Sequence, residues 1–263
     1  MKSVVVVVCF VLGLLFGSFA NVVIARVPAK KSIASPPSAC PSCATPIAPR
    51  DNIPVLSWLL LRGRCRGCAA PISARYPLVE GGTAVTFAAV GARFGLDWVL
   101  PAYLLFAWTL LVIAVIDAET RKIPNRLTYP LTPALAVLFV TAALLNGQPG
   151  WAVRALLGGL AAFGALLALA LISPRGMGLG DVKLAAFIGL GLGYLGWSYV
   201  LLGVFGSFVL GGVVALALLA VRLRGRKDLL PFGPYLAAAA LLAVLVGQPL
   251  IDGYLTITGF SGG

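Results

Sequence analysis

Asp117 closes the apolar run "YLLFAWTLLVIAVID" (residues 103–117), and Asp181 stands in "GMGLGDVKL" (176–184), where apolar residues resume. Two carboxylates at the lips of apolar runs suit the activation of water. A close pair cannot easily ionise twice, so it shares a proton. The ionised group takes a proton from water as the water attacks a carbonyl, and the protonated one donates to the carbonyl oxygen. The chain has no histidine. That excludes Ser-His-Asp, Cys-His and His-based metal sites and leaves acid–base work to the eight Asp and Glu. An ionisable residue inside a membrane costs about 2.5–3.5 kcal/mol on insertion scales and reads as functional by default. Glu119 competes with Asp117 but lies further into a basic loop. Gly178 and Gly180 read as positions whose backbone takes conformations closed to other residues and lets a second chain approach Asp181. An interfacial turn with a solvated aspartate is the plain alternative for this short glycine motif.

A second constellation is Cys40, Cys43, Cys65 and Cys68, written "CPSC" and "CRGC" with 21 residues between them. Paired CxxC at this spacing predicts a structural four-cysteine zinc site, each pair offering two thiolates from a tight turn. Two disulfides or a redox dithiol are the alternatives, and a reducing compartment disfavours them. Cys9 falls within an apolar run and reads as a small filler.

These residues must be positioned by membrane helices. The chain is 60% hydrophobic and only 11% charged, with mean hydropathy +1.01, whereas soluble domains carry about 25% charged residues. The predicted fold is all-α: a polytopic membrane protein with about eight transmembrane helices and a small zinc-bound cytoplasmic domain. Spans are expected near 4–24, 78–95, 100–117, 129–146, 152–172, 183–197, 199–221 and 233–250. The second is glycine-rich and contains Glu80. A first run cleaved as a signal peptide after "SFA" is disfavoured, since Arg26, Lys30 and Lys31 follow at once. The domains are then 1–25, the first helix; 26–77, the cysteine domain; and 78–263, a seven-helix region with its catalytic core at about 100–221.

The net charge of +12 marks loops rather than nucleic acid. With the N-terminus outside and sides alternating, all the Lys and Arg fall inside except Lys2, Arg93 and Arg154. That bias puts the cysteine loop and both aspartates on the cytoplasmic side and both termini outside. Gly189 with Gly193, and Ser207 with Gly211, have the spacing of close helix packing. Such stripes leave the oligomeric state open.

The pair "MGLGDVKL" and "IDAETRKIPN" resembles the catalytic pair of the type IV prepilin peptidases, a family of GxGD membrane aspartic proteases. "FGSFANVVIARVP" (16–28), "NIPVLSWLLLRGRCRGCAAPISARYPLVE" (52–80) and "LPFGPYLA" (230–237) resemble further family segments in the expected order. The resemblance implies that Asp117 and Asp181 are the dyad and that Gly178, Gly180 and Lys183 belong to the substrate loop. It implies cleavage of type IV prepilins or pseudopilins after a glycine, at the cytoplasmic face of a bacterial inner membrane. Bifunctional members also methylate the new N-terminus with S-adenosylmethionine, and retention of all four cysteines favours that type. Asn21, Arg26, Asn52, Arg75 and Glu80 are polar groups suited to donor or peptide. Each also has an ordinary role as interfacial anchor or packing contact, and no residue stands out as the cofactor site. Arg121, Lys122 and Lys183 suit the steering of an acidic substrate residue.

Three other readings remain at this point. One is a peptidase that does not methylate. Another is a proton-coupled transporter carrying protons on the two aspartates, disfavoured because transporter sites lie near the midplane of repeated halves. The third is a non-enzymatic assembly scaffold anchored by the zinc loop.

Overall fold

A computed structural model describes residues 1–173, 177–221 and 231–258. Gly176, Leu230, Asp228 and the basic residues Arg175, Arg222, Arg224, Arg226 and Lys227 lie outside the described residues. The described chain is helical throughout, with no strand beyond two isolated β-bridges in the polar loop. The helices are α1 (Lys2–Arg26), α2 (Leu56–Leu60), α3 (Arg75–Phe94), α4 (Leu100–Thr120), α5 (Asn125–Leu145), α6 (Pro149–Ile172), α7 (Leu179–Leu195), α8 (Trp197–Ala220) and α9 (Gly233–Thr258).

Each of the eight expected runs is a helix. Six of these (α1, α4, α5, α6, α8 and α9) are long and apolar enough to cross a membrane. The other two fall short for different reasons. α3 has the length but carries Arg75, Glu80, Arg93 and a glycine pair. α7 is apolar but has only 17 residues, against the roughly 20 a full crossing takes.

The chain divides into two compact units, Met1–Leu100 and Pro101–Gly263. In the first, α1 and α3 pack backbone to backbone. A side chain on Gly17 would stand 2.6 Å from the Glu80 Cα, and one on Gly91 would stand 2.7 Å from the Cys9 sulfur. Cys9 is buried there as a small filler, in line with its sequence reading.

In the second unit α7 is the central helix. Gly189 and Gly193 face Gly158 of α6, where an added Cβ on Gly158 would stand 2.8 Å from the Gly193 Cα. The GxxxG spacing therefore serves close packing. On the α4 side, the Tyr103 hydroxyl donates to the Gly191 carbonyl (2.8 Å), and Phe106 stacks on Phe187 with ring centroids 5.5 Å apart. α9 bends at Val246 (φ −129°, ψ 16°), three residues before Pro249, because a proline removes one ladder bond and crowds the preceding turn.

Arg154, one of the three residues outside the basic bias, has a structural use. Its Nε donates to the Gly193 carbonyl (2.9 Å), and its Nη2 donates to those of Tyr194 and Leu195. These are end-of-helix carbonyls that α7 itself leaves unpaired. Arg154→Ala is expected to destabilise the second unit by about 2 kcal/mol, the scale of hydrogen bonds to a charged group. The measurement is thermal unfolding in detergent beside the parent protein. An unchanged midpoint would mean that water or lipid replaces the guanidinium.

Candidate functional site

α4 runs three residues past Asp117 and ends at Thr120. The chain then reverses through Arg121, whose φ of +55° is left-handed. Its N–H donates to the Asp117 carbonyl (2.7 Å), closing the helix in the manner usually reserved for glycine. Residues 121–124 lead into α5 at Asn125. α7 begins nearby, with Asp181 in its first turn.

The two aspartates line one cleft of about 350 Å³, together with Arg121, Lys122, Asn125 and Lys183. Asp117 is buried, at 5% exposure, and Asp181 is half-buried. They are close enough for their charges to interact. Asp117 Oδ2 accepts the backbone N–H of Gly233, the first residue of α9, at 3.0 Å. Asp181 Oδ2 accepts the N–H of Gly178 at 3.3 Å, the return contact of a helix N-terminus. Glu119 is exposed near the end of α4 and does not line the cleft.

The glycines differ from their sequence reading in one respect. Gly178 has φ −81° and ψ 147°, open to any residue, and Gly180 is helical. Their small size matters instead. A Cβ on Gly180 would stand 3.1 Å from Ile123, and one on Gly178 would stand 3.3 Å from Asp181 Oδ2. Lys183 donates to Asn125 Oδ1 (3.0 Å) and lies over the Tyr129 ring, so it ties α7 to the start of α5. Asn125 and Ile123 belong to the site, and their signal in the sequence is their place in "IDAETRKIPN". Gly233 belongs to it as well, and its signal in the sequence is its place in "LPFGPYLA".

In the first unit the four cysteines converge. Their sulfurs all lie within 4.8 Å of one another, and the cluster can hold a metal ion. Two matching turns present them. Ala39 bridges Pro46 around the first pair, and Arg64 bridges Pro71 around the second. Ala44 and Ala69 take the same left-handed conformation, φ +57° and +56°. Hydrogen bonds that the Thr45 hydroxyl and backbone N–H can give to the sulfur bring Cys43 down to about 6, and the N–H groups of Cys68 and Gly67 lower Cys65. The same crowding of sulfurs, with the Cys43 contact foremost among the raising causes, pushes Cys68 up to about 12, so without a cation among them the four do not all favour thiolate, the form that binds metal. Arg66, inside the second pair, forks onto the Asp51 carboxylate. The guanidinium holds that carboxyl below the usual range.

The polar residues near the membrane edge of this unit are mostly engaged. Val55, a β-branched residue at φ +62°, donates its N–H to Glu80 Oε2 at 2.6 Å, so a buried carboxylate holds a strained turn. The Asn21 amide donates to the Tyr76 carbonyl (3.1 Å). Arg26 binds the carbonyls of Ser32 and Pro36. Arg75 lies over the Tyr76 ring, and Asn52 is exposed.

Residues 11–94 match the Bacterial Peptidase A24 N-terminal domain, and residues 104–216 match the type IV leader peptidase family. The chain is 38% identical to the prepilin leader peptidase/N-methyltransferase of Bacillus subtilis, covering 94% of this chain and 97% of that one. The chain belongs to the type IV leader peptidase family. Proteins of the same name in Aeromonas hydrophila and Pseudomonas aeruginosa are 36% and 34% identical, over 94% and 97% of this chain and 92% and 95% of theirs. No solved structure matches at a significant level. Both matched regions of this leader peptidase contain one of the constellations described above: the cysteine cluster in the first, the two aspartates in the second.

Proposed function

We propose that the protein is a membrane aspartic endopeptidase that removes the leader of type IV prepilins or pseudopilins and methylates the new N-terminus. The observation that carries the peptidase reading is the meeting of Asp117 and Asp181 in one cleft at a helix-terminus end of the second unit. One carboxylate takes a proton from water, the hydroxyl adds to the peptide carbonyl, and the other donates to its oxygen. The carbon–nitrogen bond then breaks and the leaving nitrogen takes a proton. Gly178 and Gly180 line the cleft in which an extended substrate would lie, and Arg121 and Lys122 line it as cations for an acidic substrate residue. A transporter would hold its carboxylates near mid-membrane, whereas these stand in the last and first turns of their helices.

The four cysteines fit zinc by donor type and by the convergence of their sulfurs. We take residues 26–77 as a zinc-stabilised domain serving methylation, and residues 78–263 as the membrane region. S-adenosylmethionine would supply an electrophilic methyl group. Glu80, a buried carboxylate, and Asn21, whose Oδ1 is buried without a hydrogen-bond partner among the described residues, fit a cationic donor or amine. The bias of basic residues supports an inner-membrane protein with its cysteine loop and aspartates on the cytoplasmic side.

The experiment is incubation of purified protein with a membrane-embedded prepilin, with and without S-adenosylmethionine, followed by mass spectrometry. The expected product lacks its leader and gains one methyl group only when the donor is present. A cleaved product that never gains the methyl leaves a peptidase alone, and an uncleaved substrate overturns the reading.

A further inference from the structure

We infer that Gly233 is a positioning residue for peptide cleavage, and that the start of α9 is thereby a third part of the site. The inference rests on the peptidase reading above. An aspartate side chain turns freely about its last torsion, whose distribution is broad and two-fold. Asp117 is held against that freedom by the Gly233 N–H on Oδ2. Oδ1 is left for water or the shared proton.

Only glycine fits at position 233. A Cβ there would stand 2.7 Å from Asp117 Oδ2, 3.1 Å from its Cγ and 3.2 Å from its Cβ. The crowded atoms include Cγ and Cβ, which do not move when the carboxylate turns about its last torsion. Relief therefore requires the carboxylate itself, or α9, to move. α9 is braced against moving. The Phe232 ring packs on Phe208 of α8 with centroids 5.0 Å apart. Phe232 and Tyr235 also lie against Gly211 of α8, where an added Cβ would stand 3.4–3.6 Å from their rings. The register of α8 on α9 is thus passed through one peptide N–H to a cleft carboxylate. The charged groups around the cleft (Asp181, Arg121, Lys122 and Lys183) come from α7 and the α4–α5 loop. Gly233 acts from a separate element.

The test measures kcat and KM for prepilin cleavage in Gly233→Ala, Phe208→Ala and Gly206→Ala, with thermal unfolding of each. An added Cβ at Gly206 meets Ala239 at an ordinary 3.7 Å, so this variant controls for an added methyl between the same two helices. A misplacement of about 1 Å costs on the order of 100-fold in rate. Gly233→Ala is expected to lose about that much in kcat with KM unchanged, because substrate binding does not depend on the carboxylate's rotation. Phe208→Ala, which loosens the brace and leaves Gly233 intact, is expected to lose about 10-fold in kcat on the same scale. Gly206→Ala is expected to match the parent. Full kcat in Gly233→Ala overturns the inference. So does a loss in Gly233→Ala that merely follows a lowered unfolding temperature while Phe208→Ala stays fully active. In both cases the parent still cleaves and the peptidase reading stands. A parent that cleaves nothing removes that reading and this inference together.

Discussion

Asparagine at position 117 or at position 181 is expected to stop prepilin cleavage while the protein stays folded. The substitution keeps the shape of the side chain and one carbonyl-type oxygen. In Asp117→Asn the amide oxygen can still accept the Gly233 N–H, and in Asp181→Asn it can still accept the Gly178 N–H, so both structural contacts survive. What is lost is the ability to take or give a proton. General acid–base groups contribute about 10²–10⁴-fold to rate, and each single variant is expected to fall near or beyond the upper end because the pair works as a unit. The double variant should be little worse than either single one. The readout is kcat on a prepilin in lipid nanodiscs, with metal content and unfolding temperature as controls. Cleavage at the parental rate by Asp181→Asn would return the glycine motif to an interfacial turn. The same result for Asp117→Asn would reopen the role of Glu119, which the structure leaves exposed outside the cleft.

The second large effect is expected from metal removal. Between Val27 and Arg75 few side chains are buried: Val27, Cys40 and Ser57. Such a loop has too little apolar interior to offset the cost of ordering its backbone. Four thiolates around one ion would supply the missing centre, and structural zinc contributes on the order of 10 kcal/mol to small domains. Zinc assay of the purified protein should find a single ion on each chain. A strong chelator, or Cys65→Ser, should open residues 36–72 to protease and to hydrogen exchange while α4–α9 stay protected. A loop that remains protected after complete removal of metal would show that Trp58, whose indole N–H binds the Ile72 carbonyl, and the Arg66–Asp51 fork hold it unaided.

Much of the architecture is legible in the sequence because the bilayer allows few solutions. Apolar runs of about 20 residues must be helices, since lipid offers no partner for a free backbone group. α3 is the hardest run to assign, and the structure shows part of the reason: Gly91 and Glu80 serve contact with α1 and the Val55 turn instead of lipid, whereas Gly81 and Gly82 face open space. The cysteine site is legible because its ligands come in local pairs whose spacing is the signal. The pair Asp117 and Asp181 is legible only as two residues at one end of two helices. Their sharing of a cleft depends on helix packing. The glycines of "GMGLGD" suggest an unusual backbone that the described residues do not contain; sequence cannot distinguish a glycine needed for its torsions from one needed for its size. Gly233 is visible as part of "LPFGPYLA", but its contact with Asp117 is not. Its partner lies 116 residues away, beyond any local pattern.

That separation also has a consequence for the order in which the enzyme is made. A ribosome building this chain completes both aspartates well before it reaches position 233. α9 must be synthesised and inserted before the hydrogen bond to Asp117 can form. A nascent or truncated chain lacking α9 therefore carries both acidic residues with one of them unanchored. The protease matures only once α9 has been translated and inserted, and until then the membrane holds no fully assembled blade.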